Sequence, residues 1–322
     1  MKKVTVIGGG TGTFVVLSGL KKFDLDLGVI VTMMDSGGST GRLRDQLGVL
    51  PPGDLRQCLV ALSEAPALWR KLFLYRFENG DLKGHNFGNI FLSALEKVSD
   101  DYSQVIDSAE YVLKTKGEVV PVTFEKAHLC VEYESGKKLC GEGYIDENNH
   151  ETSRIVNAYV EPDVAVNPRA RERIAESDYV VIGPGDLYTS IIPVLVIDGI
   201  AEVLRKSKAT IIYNMNLMTK MGQTYHYTAA EHVRDLERYI GRQPDVVICN
   251  SGSIDPATLE WYNKHNEIPV SNNLSGNFTG KIIEADLIDR NTIEKQESDE
   301  LTRSILRHDS WKLAEVLKKI LV

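Results

Sequence analysis

A β-branched apolar run at residues 4–7 stops abruptly in GGGTG at residues 8–12, and a helical pattern begins near Thr13. A buried strand that feeds a glycine turn and a helix N-terminus is the opening of an α/β fold. The same arrangement builds an anion-binding cup, because glycine lets backbone N–H groups approach a phosphate and the helix dipole favours negative charge. Gly8 and Gly10 match the first two glycines of the fingerprint G-x-G-x-x-G, but Thr13 stands where the third belongs. Gly9, Thr11 and Gly12 complete the turn. No G-K-S or G-K-T follows, which excludes a P-loop. A turn that only lets a helix pack close to a sheet has the same sequence, so both readings stay open.

Four further apolar runs read as buried parallel strands, at residues 29–32, 179–182, 209–213 and 246–249. Amphipathic stretches separate them. Leu55, Leu59 and Leu62 share a helical face, with Asp54 placed to cap it. Thr228 and Glu231 form a capping box, and Gly241 closes the helix they start. Asp255-Pro256 opens another helix. Strands alternating with helices predict a mostly parallel sheet with helices on both faces. Residues 117–160 differ. Four short strand-like runs, at 120–124, 129–133, 138–140 and 155–160, and a hairpin turn at 134–137 predict an antiparallel β insertion. The expected organisation is one α/β domain over 1–322, interrupted by that insertion. The polar stretch at 294–300 reads as a connection.

Polar residues gather where strands end. In open α/β sheets the ligand crevice lies beyond the carboxyl ends of the strands. The first expected strand ends in residues 8–12 and the second in Asp35, Ser36 and Gly37. Later ones end in Gly183, Gly185 and Asp186, in Asn214, and in Asn250. One such loop is ordinary turn chemistry; five on one edge point to a polar ligand. Asp35 occupies the place of a ribose-binding acid, and equally of a cap. Arg42, Arg44 and Arg56 bracket a glycine- and proline-rich loop, and guanidinium forks suit phosphates. Asp54 reads as an N-cap, or as a ligand to a sugar hydroxyl or a magnesium ion. His85, Asn86 and Asn89 offer neutral donors and acceptors suited to a sugar or a base. Thr189 and Ser190 follow a glycine turn where hydroxyls and N–H groups converge on an anion. No acid–base pair is readable.

The formal charge of −8 argues against nucleic acid as the main partner. An anionic ligand must then be held by local donors. Cys58, Cys130, Cys140 and Cys249 lack metal-site spacing and read as free thiols in a reducing cytosol. No signal peptide and no membrane span are expected, which points to the cytoplasm.

Together, GGGTG, DSGGSTGRLR, PPGDLRQCLVAL, GHNFGN, GPGDLYTS and NMNLMTKMGQT resemble the gluconeogenesis factor family (YvcK-type), which is related to CofD-type 2-phospho-L-lactate transferases. The resemblance covers nearly the whole chain. It implies a Rossmann-like three-layer sandwich that holds a UDP-sugar, notably UDP-N-acetylglucosamine, or another nucleoside diphosphate ester rather than a redox cofactor. It also implies a regulatory role in cell shape and growth on gluconeogenic carbon, and is compatible with a homodimer. The transferase branch implies the alternative, phospholactyl transfer with magnesium, for which Asp54 is the candidate catalytic residue and Asp35 and Asp54 the candidate metal ligands. Ser36 replaces a frequent second aspartate. Leu306-Arg307-His308 resembles the motif whose arginine, here Arg307, is tied to UDP-sugar binding. Asp309 could simply cap the last helix.

Overall fold

The computed structural model describes residues 1–321 apart from Ser275, Asn277 and 292–303. The connection expected at 294–300 therefore lies outside the described residues. Ten strands form two sheets. They are β1 (Lys2–Gly8), β2 (Leu25–Val31), β3 (Glu118–Pro121), β4 (His128–Tyr133), β5 (Lys138–Cys140), β6 (Ile155–Glu161), β7 (Tyr179–Ile182), β8 (Thr210–Asn214), β9 (Val246–Asn250) and β10 (Lys281–Ala285). The larger sheet has the order β10-β9-β8-β7-β1-β2-β3, and every pairing in it is parallel. Counted along the chain, its strands run 3-2-1-4-5-6-7, a Rossmann-like order. The order reverses between β1 and β7, which makes their carboxyl ends the topological switch point.

The layers follow from alternation along each strand. Val4 and Val6 of β1, Val181 of β7 and Ile212 of β8 enter one apolar core with Leu17 and Leu20 of α1 (Gly10–Leu20) and with Leu313 and Leu317 of the last helix. Ile7, Val180, Ile182, Ile211 and Tyr213 enter the other. A sheet buried on both faces reads as continuous apolar runs, which is why its central strands are legible in the sequence. The edge strands are harder. β10 has a half-exposed pattern and is not expected from the sequence. Residues 118–121 were expected in the insertion but form β3, the parallel edge of the large sheet beside β2.

The antiparallel sheet runs β5-β4-β6, with the expected turn at 134–137 closed by Gly136 in the left-handed region. Leu129, Val131, Tyr133 and Ile155 join the second core, so this sheet is fastened to the larger one by apolar contact. Cys130 and Cys140 are joined by a disulfide, which corrects the expectation of four free thiols; directly opposed positions on β4 and β5 bring the two sulfurs together. Thr228 and Glu231 form their capping box, Gly241 closes that helix, and Asp255 caps the next. Among the described residues, no single helix is long and apolar enough to cross a membrane.

Arg173 pins the amino ends of the central strands. Its guanidinium is almost fully buried. It pairs with Asp26 at 2.6 Å and donates to the carbonyls of Val4 at 3.3 Å and Asp26 at 2.6 Å. A side chain on Gly28 would collide with it. Arg173→Met leaves these acceptors unmatched and is expected to lower the unfolding free energy by about 3 kcal/mol. Urea denaturation measures this; an unchanged midpoint would contradict the assignment.

Candidate functional site

The turn after β1 enters α1 with Gly9 extended and Gly10 at a φ of 65°. Its donors are not all open to solvent. The Gly10 N–H donates to Asp54 Oδ1 at 2.9 Å. A side chain on Gly9 would strike the same carboxylate. Asp54 lies in the first turn of α3 (Gly53–Leu62), whose N-cap is Pro52. The sequence assigned Asp54 as the cap of its own helix; instead its carboxylate reaches across to the N-terminus of α1. Helix dipoles explain the preference, since the carboxylate faces one N-terminus while belonging to another.

The turn after β7 is held differently. Asn214 Nδ2 donates to the Gly183 carbonyl at 3.0 Å, and Asn216 Nδ2 donates to the Gly185 carbonyl at 2.8 Å. In a trans peptide the C=O and N–H point in opposite directions. Drawing the Gly185 carbonyl toward β8 therefore turns the Asp186 N–H the other way, toward the β1 side. The two turns are in contact, because a side chain on Gly12 would overlap the Pro184 carbonyl. This close approach is the one a third fingerprint glycine would supply, and it falls at Gly12 rather than at Thr13. Ser190 completes the junction, its Oγ 3.9 Å from where a Cβ on Gly10 would lie.

Carboxylates line the rest of the crevice. Asp35 Oδ1 accepts the Gly37 N–H at 3.0 Å, just before α2 (Gly38–Leu47). Ser36 is locked to the small sheet's helix Glu142–Asp146: its N–H donates to Glu142 Oε2 at 3.2 Å, and its hydroxyl accepts the Gly143 N–H at 2.8 Å. Lys220 Nζ bridges Asp146 at 2.6 Å and Asp186 at 2.9 Å, tying that helix to the second glycine turn. Gln223 links Asp146 and Thr189 at 3.2 and 3.4 Å. Burial pushes the Glu142 carboxyl well above the usual range, and the charges of Asp35, Asp146 and Asp54 push it further. Asp146 and Asp186 are taken by Lys220, which leaves Asp35 and Asp54 as the carboxylates whose oxygens suit a hard divalent cation such as Mg2+.

Most of the residues chosen from the sequence converge here, but not all. Residues 8–12, Asp35, Ser36, Gly37, Asp54, 183–190 and Asn214 share the strand-end rim. Arg42, His85, Asn86 and Asn89 form an adjoining network: Ser39 meets the His85 ring at 3.3 Å and the Asn86 N–H at 3.2 Å, while Asn89 accepts from Arg56 at 2.7 Å. Burial, then Arg42 and Arg76, lowers the His85 pKa, which favours the neutral ring. Asn86 caps the helix Phe87–Val98. Arg44 instead pairs with its neighbour Asp45 in the last turn of α2. Asn250 bonds Gly252 within its own turn and accepts the N–H of Leu287, which follows β10. Asp309 does cap the last helix, accepting from Trp311 and Lys312 at 2.8 and 2.9 Å. Arg307 lies just before that cap. His308 is buried beside the Met215 carbonyl, and burial pushes it down to about 4. A cavity of about 230 Å³ opens beyond β8 and β9, between Asn216, Leu217, Asn250 and Gly252.

Glu142, Asp146, Lys220 and Gln223 escaped the sequence reading. Two of them, Lys220 and Gln223, sit inside NMNLMTKMGQT, where a polar residue at every third or fourth place was the available signal. Glu142 and Asp146 had none, because the insertion carries no glycine-rich turn pointing to the crevice.

Comparison with known proteins agrees with the fold. A family described as 2-phospho-L-lactate transferase CofD matches residues 4–289. The chain is 36% identical to the gluconeogenesis factor of Bacillus subtilis, over 99% of this chain and 98% of that protein. It is 42% identical to the gluconeogenesis factor of Listeria monocytogenes over 80% of each. The crystal structure of a Bacillus halodurans protein superposes with a TM-score of 0.88 at 34% identity, covering 98% of this chain and 99% of that one.

The crowding of Glu142 has a measurable consequence. In the folded chain it keeps its proton at a pH where the unfolded chain, with a value near 4.5, has lost it. The folded form then binds more protons, so Glu142's contribution to stability falls as pH rises above about 4.5. Glu142→Gln keeps an acceptor for Ser36 and removes the titration. The variant is expected to be at least as stable as the parent at about pH 8, with a flatter stability curve by urea denaturation at several pH values. An unaltered pH slope would refute the assignment.

Proposed function

The chain belongs to the gluconeogenesis factor family and carries that family's CofD-type fold, and from this premise we propose that the crevice at the switch point binds a nucleotide sugar of the UDP-N-acetylglucosamine kind in a cytoplasmic regulatory protein. The observation that carries the reading is the paired glycine turns, with the Gly183 and Gly185 carbonyls drawn aside by Asn214 and Asn216. The diphosphate lies against the second turn, since Asp54 already faces the Gly10 N–H of the first. Asp35 and Asp54 would hold a Mg2+ ion, which would supply positive charge against the repulsion between carboxylates and phosphates. The cavity beyond β8 and β9 has the size for a base. Arg307 supplies positive charge to the ligand. Regulation of cell shape and of growth on gluconeogenic carbon is the role that fits such a sensor.

The alternative, an enzyme that transfers a phospholactyl group from a nucleoside diphosphate donor, draws support from the half-buried Glu142 carboxyl, whose proton the charges of Asp35, Asp146 and Asp54 help to hold. It predicts turnover that Asp54→Asn abolishes.

Thermal unfolding with UDP-N-acetylglucosamine, with and without Mg2+, distinguishes these readings. A ligand that binds only the folded state raises the melting temperature. The shift is expected with UDP-N-acetylglucosamine and is larger with Mg2+. Arg307→Ala is expected to weaken binding about tenfold by calorimetry, the size of one charge-assisted contact. No shift and no heat with any UDP-sugar would overturn the proposal.

A further inference from the structure

The small sheet carries a chemical group that the crevice does not use. Cys130 of β4 and Cys140 of β5 stand directly opposite each other and are joined through sulfur. Cys130 is buried, whereas Cys140 is exposed to reagents in solution. Glu161 brings a carboxylate oxygen to 3.8 Å from Cys130 Sγ. Exposure makes Cys140 the sulfur that a small disulfide in solution can reach, with Cys130 behind it as the resolving partner.

The position of this pair matters more than its chemistry alone. β5 has three residues, lies on the sheet edge, and pairs only with β4 among the described strands. Leu139 is its one partly buried apolar side chain. So short an edge strand has little else to hold it in register. Directly after Cys140 the chain turns at Gly141, with a φ of 106°, and Glu142 opens the helix that closes on the crevice. The sulfur bridge is thus two residues from the carboxyl that faces Asp35 and Asp54. The far end of that helix is tied independently, through Asp146 to Lys220.

We propose that Cys130 and Cys140 form a reversible thiol–disulfide site that exchanges with low-molecular-weight disulfides, and that its state sets how firmly the Glu142–Asp146 helix closes over the crevice. In the oxidising direction the Cys140 thiolate attacks one sulfur of the small disulfide, breaking its S–S bond and releasing one thiolate. The Cys130 thiolate then attacks the mixed disulfide at Cys140 and releases the second. Two protein thiols become one disulfide, one small disulfide becomes two thiols, and the two protons lost by the cysteines are taken up by the departing thiolates. Reduction reverses each step. The exchange itself stands on the small sheet alone; its effect on ligand affinity rests on the proposed reading of the crevice.

The full-length chain is equilibrated in mixtures of reduced and oxidised glutathione, alkylated, and weighed by mass spectrometry, while hydrogen exchange is followed over residues 141–147. The expected result is a reversible conversion between both states in folded protein, with amides of the Glu142–Asp146 helix exchanging about tenfold faster once reduced. Cys140→Ser, a change at an exposed position, is expected to hold the faster rate in every mixture. Failure of the pair to interconvert in folded protein, or equal exchange in both states, would overturn the proposal. Affinity for UDP-N-acetylglucosamine is expected to fall on reduction. If no sugar nucleotide binds either state, the ligand reading fails while the thiol site is still judged by the exchange rates.

Discussion

The contact between the Asp54 carboxylate and the Gly10 N–H organises the whole carboxyl rim of the sheet. It joins residues 44 positions apart and sets α3 against the start of α1. It accounts for glycine at position 9, where a side chain would occupy the carboxylate's place. It also settles which of two neighbouring cups faces a negative partner from within the chain. A helix N-terminus attracts anions from either source, and a tethered carboxylate has a large concentration advantage over a free one. The second turn, with its carbonyls drawn aside, is the one to which the proposed reading assigns an external anion.

Much of the architecture was legible because the physics behind it is local. The central strands β1, β7, β8 and β9 are buried on both faces and so leave continuous apolar runs. The caps at Thr228, Gly241 and Asp255 are written within four residues of the helix ends they serve. What escaped was non-local. β3 looks like its antiparallel neighbours in composition, and only pairing with β2 assigns it to the large sheet. Asp54 has the residue type and position of a cap, and the sequence does not encode that its carboxylate turns toward Gly10. Glu142 comes from 106 residues beyond Ser36, and its presence in the crevice depends on how the small sheet docks.

Charge around the crevice is unevenly shared. Asp35, Asp54 and Asp146 crowd Glu142, while the half-buried Lys220 is bridged between Asp146 and Asp186. Arg42 and Arg56 stand behind, in the network with Asn89 and His85. Under the proposed reading, such a site would demand compensation: an anion alone would meet repulsion that an accompanying divalent cation would relieve. The chain's overall acidity works in the same direction. It gives no long-range help to an incoming phosphate, so selectivity rests on short-range donors.

The tethering of Gly183 and Gly185 by two side-chain amides leaves the electrical sense of that turn in the hands of single residues. Strand hydrogen bonds are shared along a ladder and resist change one at a time, whereas Asn214 and Asn216 each hold one peptide plane. An aspartate in place of Asn216 would repel the Gly185 carbonyl and let that peptide rotate, presenting oxygen where the Asp186 N–H now faces; the Gly183 peptide has no N–H to exchange, because proline follows. The same loop, on an unaltered sheet, would then welcome metal ions in preference to phosphates. A turn wired in this way can reverse its electrical sense through one edit, without rebuilding the framework beneath.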